Sequence, residues 1–90
     1  MDIEWDAAKA RSNLRKHSVS FDEAASVFHD ALALTGDDPD HSVGEPRFVT
    51  FGTSSSGKLL AVFHIVRAGC IRLISARPTT KSERKIYEEG

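Results

Sequence analysis

Residues 47–77, RFVTFGTSSSGKLLAVFHIVRAGCIRLISAR, contain three consecutive strand patterns separated by turn sequences. The segments 47–53, 59–67 and 70–77 are rich in β-branched and aromatic residues, which favour strands. The connections TSSSG and AG are too short for crossover helices, so we expect neighbouring strands to be antiparallel. This half of the chain therefore predicts an antiparallel sheet.

Helix signals flank these strands on both sides. Upstream, Asp6 can cap a helix that runs to about Lys16, and SFDE at residues 20–23 has the spacing of a capping box. The helix that follows SFDE places apolar residues on one face at helical spacing, and these are predicted core residues: Phe21, Ala24, Ala25 and Phe28. Downstream, Pro78 stops the last strand, and TKSE at residues 80–83 opens a terminal helix.

Two weaker strand patterns, DIEW at residues 2–5 and ALALT at residues 31–35, complete the predicted order of strand, two helices, four strands and helix. Ninety residues make one domain, residues 1–90. The predicted fold class is α+β, with two N-terminal helices and a C-terminal helix packed on a mainly antiparallel sheet.

Composition excludes several protein classes. A single cysteine, Cys70, allows no intrachain disulfide and fits a reducing compartment; its apolar surroundings favour a buried hydrophobe. No run of about 20 apolar residues is present, and the acidic start is unlike a secretory signal. We expect a cytoplasmic protein without a membrane partner.

Charge is divided unevenly along the chain. Residues 1–45 hold four basic and ten acidic side chains, whereas residues 46–85 hold eight basic side chains and one acidic one. Such a split is typical of a protein with one surface for a polyanion, although charged side chains also serve only to solvate a surface.

Two motif matches are rejected as sites. Residues 52–58, GTSSSGK, fit the P-loop spacing, but Leu59 follows where Ser or Thr would bind magnesium, and it opens a strand. The acidic loop that contains Asp37, Asp38, Asp40 and His41 matches neither an EF-hand nor a zinc pattern, so it is predicted to be a solvated loop. No metal or other cofactor is predicted.

Strand geometry suggests which cationic side chains meet. With Ala68-Gly69 as a two-residue turn, Arg67 pairs with Cys70 and His64 lies opposite Leu73. With residues 54–57 as the preceding turn, Thr53 pairs with Lys58 and Arg47 lies opposite His64. This register predicts that Arg47, His64 and Arg77 share one sheet face and that Arg72 points to the other; a bulge or a slip of one residue would change it.

Two combined patterns, WDxxKAxxNxxKH at residues 5–17 and ISARxxTxxERxxYE at residues 74–88, resemble the BrnT family of toxins from bacterial type II toxin–antitoxin pairs. The resemblance implies a compact RelE-like fold and RNA cleavage that arrests translation and growth. It also implies a BrnA-like ribbon–helix–helix antitoxin as partner, with operator DNA contacted only through that antitoxin.

RNA cleavage without a metal requires a base for the 2′-hydroxyl, cations for the phosphate and an acid for the leaving oxygen. Carried over by motif, Arg72 and Arg77 are predicted to bind the scissile phosphate, because guanidinium groups contact phosphate bidentately. His64 is predicted to carry the proton, with Tyr87 as the alternative. The predicted contacts to the RNA backbone are Arg47, Lys16, Arg84 and, beside Lys16, His17.

Two further expectations follow from the same residues. The family's KHG segment stands here as Lys16-His17-Ser18, which puts a serine where a left-handed helix cap is expected. The basic sheet face also suits a module that binds RNA or an acidic protein without cutting, or an inactive toxin relative that acts as a co-repressor. Growth arrest on expression would separate a toxin from a binder.

Overall fold

The computed structural model describes residues 2–38 and 44–90, which form five strands, three α-helices and one 3-10 turn. In chain order these elements are β1 (Ile3–Glu4), α1 (Ala7–His17), α2 (Phe21–Ser26), the 3-10 turn Val27–His29, β2 (Leu34–Asp37), β3 (Phe48–Thr53), β4 (Leu59–Arg67), β5 (Cys70–Pro78) and α3 (Lys81–Glu89). The predicted α+β class and element order are confirmed.

The strands form one mixed sheet in the order β1-β5-β4-β3-β2. β2 to β5 are antiparallel neighbours, and the short β1 pairs with β5 in parallel. β5 therefore contacts both the hairpin strand before it and the first residues of the chain.

Local capping chemistry sets the helix boundaries. The Asp6 side chain accepts a hydrogen bond from the backbone N–H of Lys9, and Thr80 and Glu83 form a complete capping box at α3. Ser20 caps α2 through the N–H of Glu23, while the Glu23 carboxylate accepts hydrogen bonds from Ser54 and Ser56. These serines hold the pKa of Glu23 below its usual value, so α2 is tied to the β3–β4 turn.

The β4–β5 hairpin matches its predicted register near the turn and departs from it further along. Arg67 pairs with Cys70, and His64 pairs with Leu73, as predicted. A bulge between Phe63 and His64 then pairs Phe63 with Ser75. Because β5 contains this extra residue, the Ser75 side chain points to the sheet face opposite to that of His64.

The β3–β4 register also differs from the prediction by one residue. Thr53 pairs with Leu59, because the turn closes with the Ser54 N–H donating to the Lys58 carbonyl at 2.8 Å. Phe48 consequently lies opposite His64, in the place predicted for Arg47. The hairpin itself confirms that GTSSSGK is not a P-loop.

Together these two shifts overturn the predicted grouping of Arg47, His64 and Arg77. His64 points to the inner face of the sheet, which is covered by the N-terminal helices, together with Val62 and Leu73. The pairs Ala61–Arg77 and Ile65–Arg72 place both arginines on the opposite, outer face.

The core lies between the inner face and the N-terminal helices. Phe21 and Ala24 are buried as predicted, with Ala25 and Phe28 packed partly buried against the cluster; Val27 is a core residue that the pattern missed. The Asn13 side chain crosses this layer, donating to the carbonyls of Val19 and Ala76 and accepting from the N–H of Ala76. Asn13 thereby satisfies the backbone of β5 at Ala76, beyond the segment of β5 that pairs with β1. In residues 2–38 and 44–90, no helix combines the length and apolar character required to cross a membrane.

Candidate polyanion-binding groove

A groove lined by basic residues runs from the outer sheet face around β5 to the end of α1. Its sheet lobe, with a volume of about 260 Å³, is lined by Glu45, Arg47, Ile65, Arg67 and Arg72. Its helix lobe, of about 300 Å³, is lined by Ser12, Asn13, Lys16, His17 and Ser75. Lys9 and Ile74 line both lobes, so the two are adjacent, and we refer to the pair as the basic groove.

Helical and strand periodicity bring these side chains together. Lys9 and Lys16 are seven positions apart on α1, which places them on the same side of the helix. On the sheet, Arg72 lies directly across from Ile65 on the neighbouring strand, and Arg67 ends that strand. The N-terminal and C-terminal halves of the chain therefore both contribute cations to one surface.

Two carboxylates are paired with arginines of the groove. Arg72 Nη1 donates to Glu4 Oε2 at 2.8 Å. Arg67 donates through Nη2 and Nε to the two oxygens of Glu45, at 2.9 and 3.3 Å, and this contact holds the pKa of Glu45 below its usual value. The groove lining contains five Lys and Arg side chains and one carboxylate, that of Glu45. A lining in which basic side chains outnumber acidic ones suits phosphate groups.

Arg77 lies on the same sheet face but is clamped to α3. Its Nη1 and Nη2 donate to the two oxygens of Glu83, at 2.7 and 2.9 Å, and its guanidinium lies over the Phe63 ring at 5.2 Å. This bidentate pairing raises the pKa of Arg77 and lowers that of Glu83. Arg77 therefore fastens the terminal helix to the sheet and is not part of the groove lining.

His64 belongs to the core. Its side chain is 3% exposed, its Nε2 lies 2.9 Å from Thr50 Oγ1, and its ring packs between Phe28 and Phe48. Burial lowers its pKa to about 4, so the ring is neutral near pH 7. The described residues offer no hydrogen-bond partner to its Nδ1, and His64 is not part of the groove lining.

The two predicted residues of α3 also lie outside the groove. Tyr87 donates to Asp30 Oδ2 at 2.6 Å and lies 3.2 Å from Thr53 Oγ1; Asp30 raises the pKa of the phenol. Arg84 is exposed and lies 3.9 Å from Glu88. The structure thus brings together Arg72, Arg47, Lys16 and His17 from the predicted set, and separates His64, Arg77, Tyr87 and Arg84 from them.

Sequence reasoning missed Lys9, Arg67 and Glu45 as residues of this surface. The helical spacing from Lys9 to Lys16 was an available signal, whereas the approach of Glu45 to Arg67 depends on how the loop before β3 returns to the sheet. Among the described residues no group of three or more His, Cys, Asp and Glu side chains could hold a metal ion. Asp40 and His41 of the acidic loop lie outside the described residues.

The fold and the groove together define a small α+β domain with a surface lined by basic side chains. The comparison with protein families then gives its identity at the family level. A model described as "Ribonuclease toxin, BrnT, of type II toxin-antitoxin system" matches residues 5–83, and the chain belongs to this family.

A solved structure agrees with this assignment at the level of fold. The 1.1 Å crystal structure of the Brucella abortus ribonuclease toxin BrnT superposes with a TM-score of 0.69 at 21% sequence identity, covering 90% of this chain and 99% of that chain. At this identity the match shows a shared fold. A search of curated protein sequences gives no match.

Proposed function

We propose that this chain cuts RNA within the basic groove and does so without a metal ion. The observation that carries the proposal is that five Lys and Arg side chains and an imidazole line two adjacent lobes of one surface, in a member of a ribonuclease toxin family. Arg72 is assigned to the scissile phosphate and Arg67 to an adjacent phosphate of the same strand, because guanidinium groups match phosphate oxygens in geometry and charge. Lys9, Lys16 and Arg47 are assigned to the neighbouring backbone phosphates.

His17 is assigned to proton transfer. Among the histidines of the described residues, it is the one that lines the groove. In the proposed reaction the 2′-hydroxyl loses its proton to a base, the 2′-oxygen attacks phosphorus, and the bond to the 5′-oxygen breaks as that oxygen gains a proton. The products are a 2′,3′-cyclic phosphate and a free 5′-hydroxyl. An imidazole suits either proton transfer near neutral pH.

The test is incubation of purified protein with RNA, with and without a chelator. We expect cleavage in both, with 2′,3′-cyclic phosphate ends, and loss of most activity in His17→Ala. Arg84→Ala, which removes an exposed cation outside the groove, is the matched control and retains activity. Cleavage abolished by chelator would contradict the metal-free mechanism, and undiminished cleavage by His17→Ala would remove His17 from the reaction.

The cellular role is proposed from the family. A type II toxin has an antitoxin partner, and we propose a BrnA-like ribbon–helix–helix protein that silences this chain and links it to operator DNA. RNA cleavage would inhibit translation in the cytoplasm and arrest growth. Expression of the chain alone should stop growth, and co-expression with the product of the adjacent gene should restore it.

A binding module that does not cut RNA is the second candidate. It is favoured by the ion pairs that already occupy Arg67 and Arg72, since an arginine paired with a carboxylate is less able to stabilise the charge of a transition state. In the same assay this candidate predicts a gel shift of intact RNA and no new RNA ends. Growth would then continue when the chain is expressed alone.

A further inference from the structure

Glu4 and Glu45 form ion pairs with two arginines of the groove. Both groove arginines with glutamate partners form exposed ion pairs: the side chains of Arg72 and Glu4 are 33% and 47% exposed, and those of Arg67 and Glu45 are 60% and 43% exposed. Exposed pairs of this kind are weak, so an incoming phosphate can replace the carboxylate. Each glutamate therefore stands where a substrate phosphate would bind.

We propose that Glu4 and Glu45 each occupy a phosphate position of the groove and compete with a bound polynucleotide at both positions, whereas a single nucleotide or free phosphate competes with only one of them. This inference rests on the proposed function and names the substrate class of the same site. A ligand with one phosphate displaces one glutamate and gains one arginine contact. A polynucleotide displaces both glutamates with neighbouring phosphates of the same strand, and its attachment at one arginine holds the next phosphate close to the second.

The dimensions of the groove fit this substrate class. Lys9 and Lys16 are seven residues apart on α1, a rise of about 10 Å along the helix axis. Successive phosphates of one strand advance about 3.4 Å along the axis of duplex DNA, so cations about 10 Å apart can contact more than one phosphate of the same strand. The sheet lobe, which adjoins the helix lobe at Lys9 and Ile74, would extend the contact toward Arg67 and Arg72.

The experiment measures binding affinity, and its result does not depend on whether the chain cleaves RNA. The probe is a short 2′-O-methyl RNA oligonucleotide, which lacks the attacking hydroxyl, and the comparison ligand is a nucleoside monophosphate. Affinities are measured for the wild-type chain, Glu4→Gln, Glu45→Gln and the double variant. Glu89→Gln removes one charge from an exposed pair on α3, 4.0 Å from Lys85 and outside the groove lining, and serves as the matched control.

We expect each single variant to bind the oligonucleotide about 2–5-fold more tightly, as the loss of one weak exposed pair allows. In the double variant the two gains multiply for the oligonucleotide, whereas the monophosphate retains only the gain of a single variant. Glu89→Gln changes neither affinity. Unfolding curves that match the wild-type chain confirm that the substitutions leave the fold intact.

Three results would overturn the inference. Equal affinities in all variants would show that the glutamates do not compete with phosphate. A double variant no tighter than the better single variant would show that one strand does not reach both arginines, and equal gains with Glu89→Gln would reduce the effect to net charge. If the wild-type chain fails to bind the oligonucleotide at any salt concentration, the proposed function itself fails.

Discussion

Arg72 and Arg77 lie five positions apart on β5 and point to the same outer face, yet they occupy two different regions. The region around Arg72 is the basic groove, where its partner Glu4 stands at the sheet edge with its side chain 47% exposed. The region around Arg77 is the α3 corner, where Glu83 is 19% exposed and also completes the capping box of the helix.

The difference between these regions lies in the carboxylates and not in the arginines, whose side chains are 33% and 30% exposed. Glu4 makes a single hydrogen bond to its arginine, so a phosphate can take its place. Glu83 makes a bidentate contact and bonds the N–H of Thr80 as well, so its displacement would also uncap α3. The availability of an arginine to a ligand is thus set by what else its partner holds.

The largest expected effect contrasts the two arginines directly. Arg72→Ala should lower kcat for RNA cleavage about 10²–10³-fold, as the loss of one cation that stabilises the transition state does. Its free energy of unfolding should change little, because the pair with Glu4 is exposed. Cleavage rates and urea unfolding of the same preparations measure both quantities.

Arg77→Met is the partner variant in that experiment, since it keeps the aliphatic packing and removes the charge. It should retain cleavage and lose about 1–2 kcal/mol of unfolding free energy, the scale of a lost charge-assisted contact. The contrast breaks down if Arg77→Met abolishes cleavage while unfolding as the wild-type chain does. That result would return Arg77 to the site.

The next prediction concerns the pH dependence of stability and compares two histidines, His17 in the groove and His64 in the core. The pKa of His64 is lowered to about 4, so the unfolded chain binds a proton at higher pH than the folded chain. The contribution of neutral His64 to stability is complete above pH 6.5 and is lost as the pH falls toward 4. Between pH 7 and pH 5 we expect this residue to remove about 2 kcal/mol from the free energy of unfolding.

Urea denaturation at the two pH values tests this expectation. His64→Gln preserves a polar group toward Thr50 and cannot titrate, so its stability should depend much less on pH. His17→Gln is the control and should keep the pH dependence of the wild-type chain. A wild-type curve unchanged between pH 7 and pH 5 would show that His64 does not stay neutral in the folded chain.

The smallest effect concerns the end of α1, where the helix lobe of the groove closes. Ser18 caps the helix in the left-handed conformation, with φ 57° and ψ 31°, as its place in the KHS segment predicted. Glycine adopts this conformation without steric cost, so Ser18→Gly should raise the free energy of unfolding by about 0.5–1 kcal/mol. Ser12→Gly, inside the same helix, should lower it by a similar amount; a loss of stability in both variants would contradict the assigned cap.

Sequence alone predicted the features that depend on nearby residues. Asp6, Ser20 and Thr80 cap their helices through neighbours three positions away, and the two-residue turn at Ala68-Gly69 fixes the pairing of Arg67 with Cys70. These choices are settled by local hydrogen bonding and turn geometry.

Prediction of the groove requires features of the sheet that no local sequence pattern determines. One bulge and a turn one residue longer than expected moved Ser75 and Arg47 relative to His64, and each such step reverses the face to which a side chain points. The pairs Glu4–Arg72 and Glu45–Arg67 join residues 68 and 22 positions apart. Such contacts arise from packing. The sequence therefore predicted Arg72 as a candidate site residue but did not predict the glutamate that pairs with it.

The bonds from Asn13 to Ala76 span 63 positions and stand beside the parallel pairing of β1 with β5. During synthesis on the ribosome, α1 therefore leaves the exit tunnel long before the strand that it must contact. The two lobes come together only when β5 has emerged. The basic groove, which needs side chains of both segments, is therefore among the last features of this domain to form during synthesis.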